Sequence, residues 1–359
     1  MTDPVFRPVM RASFLLGCLF SFSVVCAAES AETPENVESV IVYNWSDYIP
    51  EQVLTSFTEE TGIKVHYSTY DNNEAMYMRL KLLRGRGYDV IVPSTNLVNR
   101  MAREGLLQPL EPELLDNFKN LDPSLLNKAY DPDNEFSIPY LWGTTGIAVN
   151  TATVDIKNIT SWSDLWHRRW KGKLILLDDM RDVFHIALKA GRHSTNSNNS
   201  DEIRQAYERL ARLLPNINKF SPAPIDEMTV GNSDIGVSWN GDVYAARDIT
   251  PGLEYIYPQE GVSLWLDSFV IPARARNVEN AHAFINYMMR PEVAALCTQE
   301  LGYATANAAG RQLLDESVRN DPVIFPPPEL LNNTEFQQDV SDQAMQLYEV
   351  YWNKLKANE

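Results

Sequence analysis

The chain has 359 residues, more than the ~250–300 at which a single hydrophobic core stops growing, so two folded units are expected. Its composition, 44% hydrophobic and 22% charged, is that of an ordinary globular protein. A net charge of −17 argues against nucleic acid or anionic membrane surfaces as partners and would draw a cationic ligand.

In chain order, Arg7 and Arg11 precede an apolar run from Ala12 that ends in small residues at Ala27 and Ala28. This reads as an export signal over residues 1–28, cleaved near Ala27 or Ala28. A retained single-span anchor is the rival reading, and a lipid-modified Cys18 or Cys26 fits the flanking residues poorly. Removing residues 1–27 takes away two Arg and one Asp, leaving 29 basic and 47 acidic residues and a net charge of −18. Cys297 is then the only cysteine, and one thiol makes no internal disulfide. Residues 29–38 are polar, acidic and unpatterned, a tether.

Val40 to Tyr43 is a short apolar strand that runs into the loop Asn44-Trp45-Ser46-Asp47-Tyr48-Ile49-Pro50. A helix follows from Glu51, with Val53, Leu54 and Phe57 on one face and Gly62 as its stop. A second strand spans 63–67, a second helix 73–83, and a third strand 88–92 that ends at Pro93-Ser94-Thr95-Asn96. Strand-loop-helix alternation of this kind marks a parallel sheet covered on both faces. Residues 108–139, rich in Pro, Asp and Asn, suit a surface connection. Residues 138–150 read as strand, Gly-broken turn, strand, the first crossing between two lobes. A second α/β set follows over 161–170, 174–184, the helix 201–213 and the strand-to-turn stretch 234–242. The long extended stretch 262–272 places Trp265 and Asp267 on one face by strand periodicity. Helices at 278–289 and 291–300 would complete the first lobe, and the tail 311–359 would return to the second.

The junction Leu174-Ile-Leu-Leu-Asp-Asp-Met-Arg-Asp-Val-Phe184 has two readings. In one, Asp179 caps the following helix by accepting its free N–H groups, while Asp182 sits in the positive end of the helix dipole. In the other, the two carboxylates face a crevice at the carboxyl ends of the strands, where open α/β sheets bind ligands. Three further strand-end loops pair an aromatic with an acid: Trp45 with Asp47 and Tyr48, Trp239 with Asp242, and Trp265 with Asp267. Singly, each Trp fits a half-buried core or rim position. Together, ring faces and carboxylates suit an alkylammonium ion, through cation–π contact and charge-assisted hydrogen bonds.

Catalysis and cofactors find little support. There is no Gly-x-Ser-x-Gly elbow and no phosphate loop, nothing sets the carboxylate separation that glycoside hydrolysis needs, and the five histidines lack metal-ligand spacing. Neither enzyme activity, a cofactor nor a metal is expected.

The motifs Asn44-Trp-Ser-Asp-Tyr-Ile-Pro, Thr58-Glu-Glu-Thr-Gly-Ile-Lys-Val, Asp89-Val-Ile-Val-Pro-Ser-Thr, Phe136-Ser-Ile-Pro-Tyr-Leu-Trp-Gly, Asp178-Asp-Met-Arg-Asp-Val-Phe, Trp239-Asn-Gly and Trp265-Leu-Asp-Ser-Phe-Val-Ile-Pro resemble, in order, the bacterial periplasmic spermidine/putrescine-binding proteins. The likeness runs from Val40 to the C-terminus and includes several rare Trp positions.

The resemblance implies the type II periplasmic-binding-protein fold, an α/β architecture of two lobes. Each lobe would hold a mainly parallel sheet flanked by helices, joined to the other by crossing strands that close around the ligand. Lobe 1 would comprise residues 39–145 plus 268–311, and lobe 2 residues 146–267 plus 312–359. It implies a monomer in the periplasm that binds a linear polyamine (spermidine, norspermidine or putrescine) in the cleft between lobes. Trp45, Ser46, Asp47 and Tyr48 would line one side, with Ser94 and Asn96 beside them. Asp179 and Asp182 would take amines, Trp239 and Trp265 would sandwich the methylene chain, and Asp267 and Gln337 would hold polar ends. Spermidine-binding members usually carry Tyr at the position of Asn96 and Glu at that of Asp182. Their Gly-Tyr-Pro-Thr-Pro loop is Gly302-Tyr-Ala-Thr-Ala here, to which no ligand role is given. Most of the family docks on an inner-membrane ABC permease. A similar branch reports polyamines, norspermidine among them, to a membrane-bound regulator of cyclic-di-GMP turnover, which controls biofilm formation.

Overall fold

The computed structural model describes residues 38–358. The export signal and nearly all of the tether lie outside the described residues. Eleven strands form one hydrogen-bonded sheet: β1 (Ser39–Trp45), β2 (Lys64–Tyr70), β3 (Val90–Ile91), β4 (Ser137–Asn150), β5 (Leu174–Leu177), β6 (Ile217–Ser221), β7 (Ile235–Trp239), β8 (Leu253–Ile256), β9 (Ser263–Val270), β10 (Ala304–Thr305) and β11 (Glu335–Phe336). The main path runs β2-β1-β3-β9-β4-β7-β5-β6. At one end β1 lies parallel to β2 and β3, and at the other β5 lies parallel to β6 and β7. This is the two-lobe α/β fold of type II binding proteins, and β4 and β9 join its two parallel sets.

The central strand is β4. Thr145 pairs with Trp239 of β7 on one flank and Ser263 of β9 on the other. Ile147 pairs with Val237 and Ile256, so β8 continues the flank that β9 leaves. With both flanks occupied, the 14-residue strand is buried almost throughout, and at ~3.3 Å per residue it spans roughly 46 Å. The sequence-based expectation of a Gly-broken turn here is corrected. Gly143 and Gly146 lie within the unbroken strand, and the reason for glycine is close approach. A Cβ on Gly143 would collide with Asn240 and the Trp265 ring, and one on Gly146 with the Tyr255 ring.

The helices expected from Glu51 and over 73–83, 201–213, 278–289 and 291–300 form to within about a residue, while Thr95–Arg103, Asn240–Ala246 and Asp342–Lys356 are helices that the sequence reading did not place. Glu51–Thr61 ends at Gly62, whose φ of 75° lets its N–H reach Thr58 O at 2.9 Å, a left-handed cap that favours glycine. Strand β2, at the edge, alternates exposed and half-buried residues and shows Lys64 and His66 to solvent. One apolar core gathers β1 and β3 with Phe57, Met76 and Leu80 and with Phe284, Ile285 and Val293 from the helices Val278–Met288 and Pro291–Leu301. Cys297 is a buried free thiol in that core. A second core gathers β5 and β7 with Phe184 and Leu210 and with Ala344, Tyr348 and Leu355 of the C-terminal helix Asp342–Lys356. Trp239 packs against both cores.

Candidate functional site

At the end of β1, Trp45 turns its indole inward and donates from Nε1 to Val92 O at 3.0 Å, while Asn44 Oδ1 accepts its backbone N–H at 2.8 Å. The chain then bends through Asp47 at φ 50°, a left-handed conformation that Asp tolerates better than most residues. This bend carries Tyr48 back under the loop, where its hydroxyl donates to Asp267 Oδ2 at 2.8 Å. Beyond β3, Ser94 precedes the helix Thr95–Arg103 and donates to Asp267 Oδ1 at 2.6 Å. Asp267, from β9, is thus held at each oxygen by a hydroxyl. Trp265, two residues earlier on the same strand face, lines the same space, and its buried Nε1 has no partner among the described residues.

From the other side comes the junction after β5. Asp179 caps the helix Met180–Ala190, accepting the Asp182 N–H at 3.0 Å, and the same residue also faces the cavity. The capping and ligand-facing readings are therefore compatible. Asp182 Oδ1 accepts from Thr145 Oγ1 at 3.0 Å and Gln337 Nε2 at 2.7 Å, and Oδ2 accepts from Trp239 Nε1 at 2.9 Å. Asp242, in the first turn of the helix Asn240–Ala246, accepts from the Tyr303 hydroxyl. Trp239 meets Trp45 edge-on at 5.8 Å, and Trp265 meets Tyr303 at 5.3 Å.

These groups enclose a cavity of about 330 Å³. Among the described residues, seven aspartates (Asp47, Asp71, Asp179, Asp182, Asp226, Asp242, Asp267) and six Trp or Tyr rings line it, and no Lys, Arg or His does. None of the seven makes an ion pair among the described residues. Burial is the main force on the inner carboxyls, since low polarity disfavours the charged form. It raises Asp182 to about 7, helped by repulsion from Asp179 and opposed by the bonds from Trp239, Thr145 and Gln337. It raises Asp267 to about 7 and Asp242 to about 6, and it raises Asp179 as well. A cleft with this much unbalanced negative character is chemically suited to a ligand with several cationic N–H donors and apolar links between them.

Of the twelve residues named from the sequence, eleven line this cavity: Trp45, Ser46, Asp47, Tyr48, Ser94, Asp179, Asp182, Trp239, Trp265, Asp267 and Gln337. Asn96 does not. It lies two residues into the helix that Ser94 precedes, and at ~100° per residue that advance turns its side chain away from the cleft, toward a separate cavity. Asp71, Asn73, Asp226 and Tyr303 line the cleft without having been assigned to it. Asp71 stands just past the carboxyl end of β2, a strand-end position like those of the other acids. Tyr303 reaches the cleft because Gly302 turns the chain at φ 75°.

Known proteins resemble this chain over most of its length. The family model described as bacterial extracellular solute-binding protein matches residues 52–326. The spermidine/putrescine-binding periplasmic protein of Salmonella typhimurium is 43% identical over 340 residues, covering 94% of this chain and 97% of the relative. The putrescine-binding periplasmic protein SpuD of Pseudomonas aeruginosa is 33% identical over 363 residues, covering 96% and 97%. Among solved structures, a putative spermidine/putrescine ABC transporter from Listeria monocytogenes superposes with a TM-score of 0.86 at 34% identity, covering 90% of this chain and 100% of that one.

Proposed function

Because the chain belongs to the bacterial extracellular solute-binding protein family, whose members bind solutes and are not enzymes, we propose that its cleft binds linear polyamines in the periplasm. The observation that carries this reading is the ring of seven aspartates with no basic side chain among them. Protonated amines would sit at Asp179, Asp182 and Asp267, and the methylenes between them would lie against Trp239 and Trp265. Asp47, Ser46 and Tyr48 would close one side and Gln337 would orient Asp182. Spermidine, putrescine and norspermidine all carry this chemistry. The relatives' names support the class, and the shorter carboxylate of Asp182 bears on which chain length fits best.

Closure of the two lobes on the amine would exclude water and strengthen each ion pair, and the closed form would present the ligand to an inner-membrane ABC permease. Tryptophan emission tests this directly, since Trp45, Trp239 and Trp265 line the cleft. Adding spermidine, putrescine or norspermidine should change the emission saturably, and Asp179→Asn should move the midpoint to higher concentration. A flat response to all three amines would remove the proposal. Signalling to a membrane-bound regulator of cyclic-di-GMP turnover would use the same cleft. Neighbouring reading frames separate the two roles: permease and ATPase genes mark uptake, and a transmembrane cyclase or phosphodiesterase gene marks sensing.

A further inference from the structure

Beside the cleft lies a second cavity of about 400 Å³, between the helices Asn73–Leu82 and Thr95–Arg103 on one side and the C-terminal helix Asp342–Lys356 on the other. Asn73 lines both spaces, and its side chain, donating to Ser94 Oγ at 3.1 Å, forms the partition. Most charges in this chamber are matched. Lys81 pairs with Glu104 at 3.2 Å, and Arg100 with Asp339 at 2.8 Å and Asp342 at 2.9 Å. Arg181, buried, donates to Gln338 O, Thr195 O and Asn196 Oδ1.

Glu74 is different. It stands in the first turn of the helix, faces the chamber and makes no ion pair among the described residues. Burial, then repulsion from Asp179, raises its carboxyl to about 8, and the attraction of Arg181 does not offset them. Asn96, 3% exposed, lines the same chamber, and its Oδ1 is buried without a partner. A carboxylate and an amide oxygen both call for N–H donors. Leu97 and Met345 add apolar wall to the chamber.

We propose that this chamber is an additional subsite of the cleft, in which Glu74 and Asn96 receive one more protonated amine of a linear polyamine that passes Asn73. The subsite rests on the polyamine reading above and names longer chains, tetraamines, as its ligand class. The first cavity holds the amines nearest Asp267 and Asp182, and the chain continues past Asp179 toward Glu74. Displacing Asn73 from Ser94 opens the way.

The test is calorimetry on the full chain at pH 7.5, with putrescine as the diamine probe and spermine as the tetraamine probe, on the native protein and on Glu74→Gln. The ratio of spermine to putrescine affinity should fall by about tenfold or more in the variant, the scale of a lost charge-assisted hydrogen bond. Titrations in phosphate and in Tris supply an independent readout. Spermine should release more protons than putrescine from the native protein, because one of its two extra amines ionises Glu74, and Glu74→Gln should shrink that difference by the share Glu74 contributes. A ratio within twofold of native, or a native protein that takes putrescine and refuses spermine, overturns the subsite and leaves the main cleft standing. No heat from either amine overturns the polyamine reading itself.

Discussion

At the inner end of the cleft, Asp182 accepts three side-chain hydrogen bonds and Asp267 two, and both are nearly out of contact with solvent. At the mouth, Asp47, Asp71 and Asp226 are exposed, and among the described residues only Asp71 has a side-chain partner, the Ser46 hydroxyl at 3.2 Å. The residue type is the same, and burial separates the roles. An inner carboxylate is costly to ionise alone and gains strongly from a cation, because little solvent screens the pair. An outer one stays hydrated, and its pull on a ligand is long-range and salt-sensitive. The inner group should therefore hold the ligand and the outer group should steer it.

The largest break in that contrast is Asp267→Asn, which removes a charge already aimed by Tyr48 and Ser94. Polyamine binding should weaken by about 1.5–3 kcal/mol by calorimetry. Asp179→Asn should cost about 1–3 kcal/mol, with some helix stability lost because its side chain caps Met180–Ala190. Trp265→Ala should weaken binding by about 0.5–2 kcal/mol. Its ring also belongs to the first apolar core, so a lower melting temperature should accompany it.

Acidity sharpens the contrast next. Asp182 and Asp267 near 7 and Asp242 near 6 must ionise to hold amines, so affinity should fall as pH drops from 8 to 6. Ligand-free stability should run the other way. These folded-state values lie above the ordinary 3.8, so the folded chain binds more protons than the unfolded one. Their contribution to stability is fully present below about pH 4 and is lost as pH rises through 7. Melting curves of the ligand-free protein should therefore gain temperature between pH 8 and pH 5, and saturating polyamine should reverse that gain. The smallest effect belongs to the mouth. Asp226→Asn should change affinity by less than about 1 kcal/mol, mainly through a slower, less salt-dependent association rate in stopped-flow fluorescence.

Much of this architecture was legible in the chain because it rests on local signals. The apolar run Leu174–Leu177 followed by Asp179 specifies a buried strand and a capped helix whatever surrounds them, and period-two alternation places Trp265 and Asp267 together on β9. What local signals do not carry is approach from afar. Gly143 and Gly146 resemble turn residues until the Trp265 and Tyr255 rings are seen lying against them. Asn96 stands two residues from Ser94 in sequence but faces elsewhere on the helix. Tyr303, turned in at Gly302, joins the cleft by packing its ring against Tyr48 and Trp265, both far away in sequence.

The most direct measurement is a calorimetric titration of the ligand-free protein at pH 8 with spermidine, putrescine and norspermidine. Saturable one-to-one binding of at least one of them, weakened in Asp267→Asn and nearly unaffected in Asp226→Asn, is the expected result. Absence of binding by all three, or equal losses in the two variants, would contradict the assignment of the buried aspartates as the holding groups.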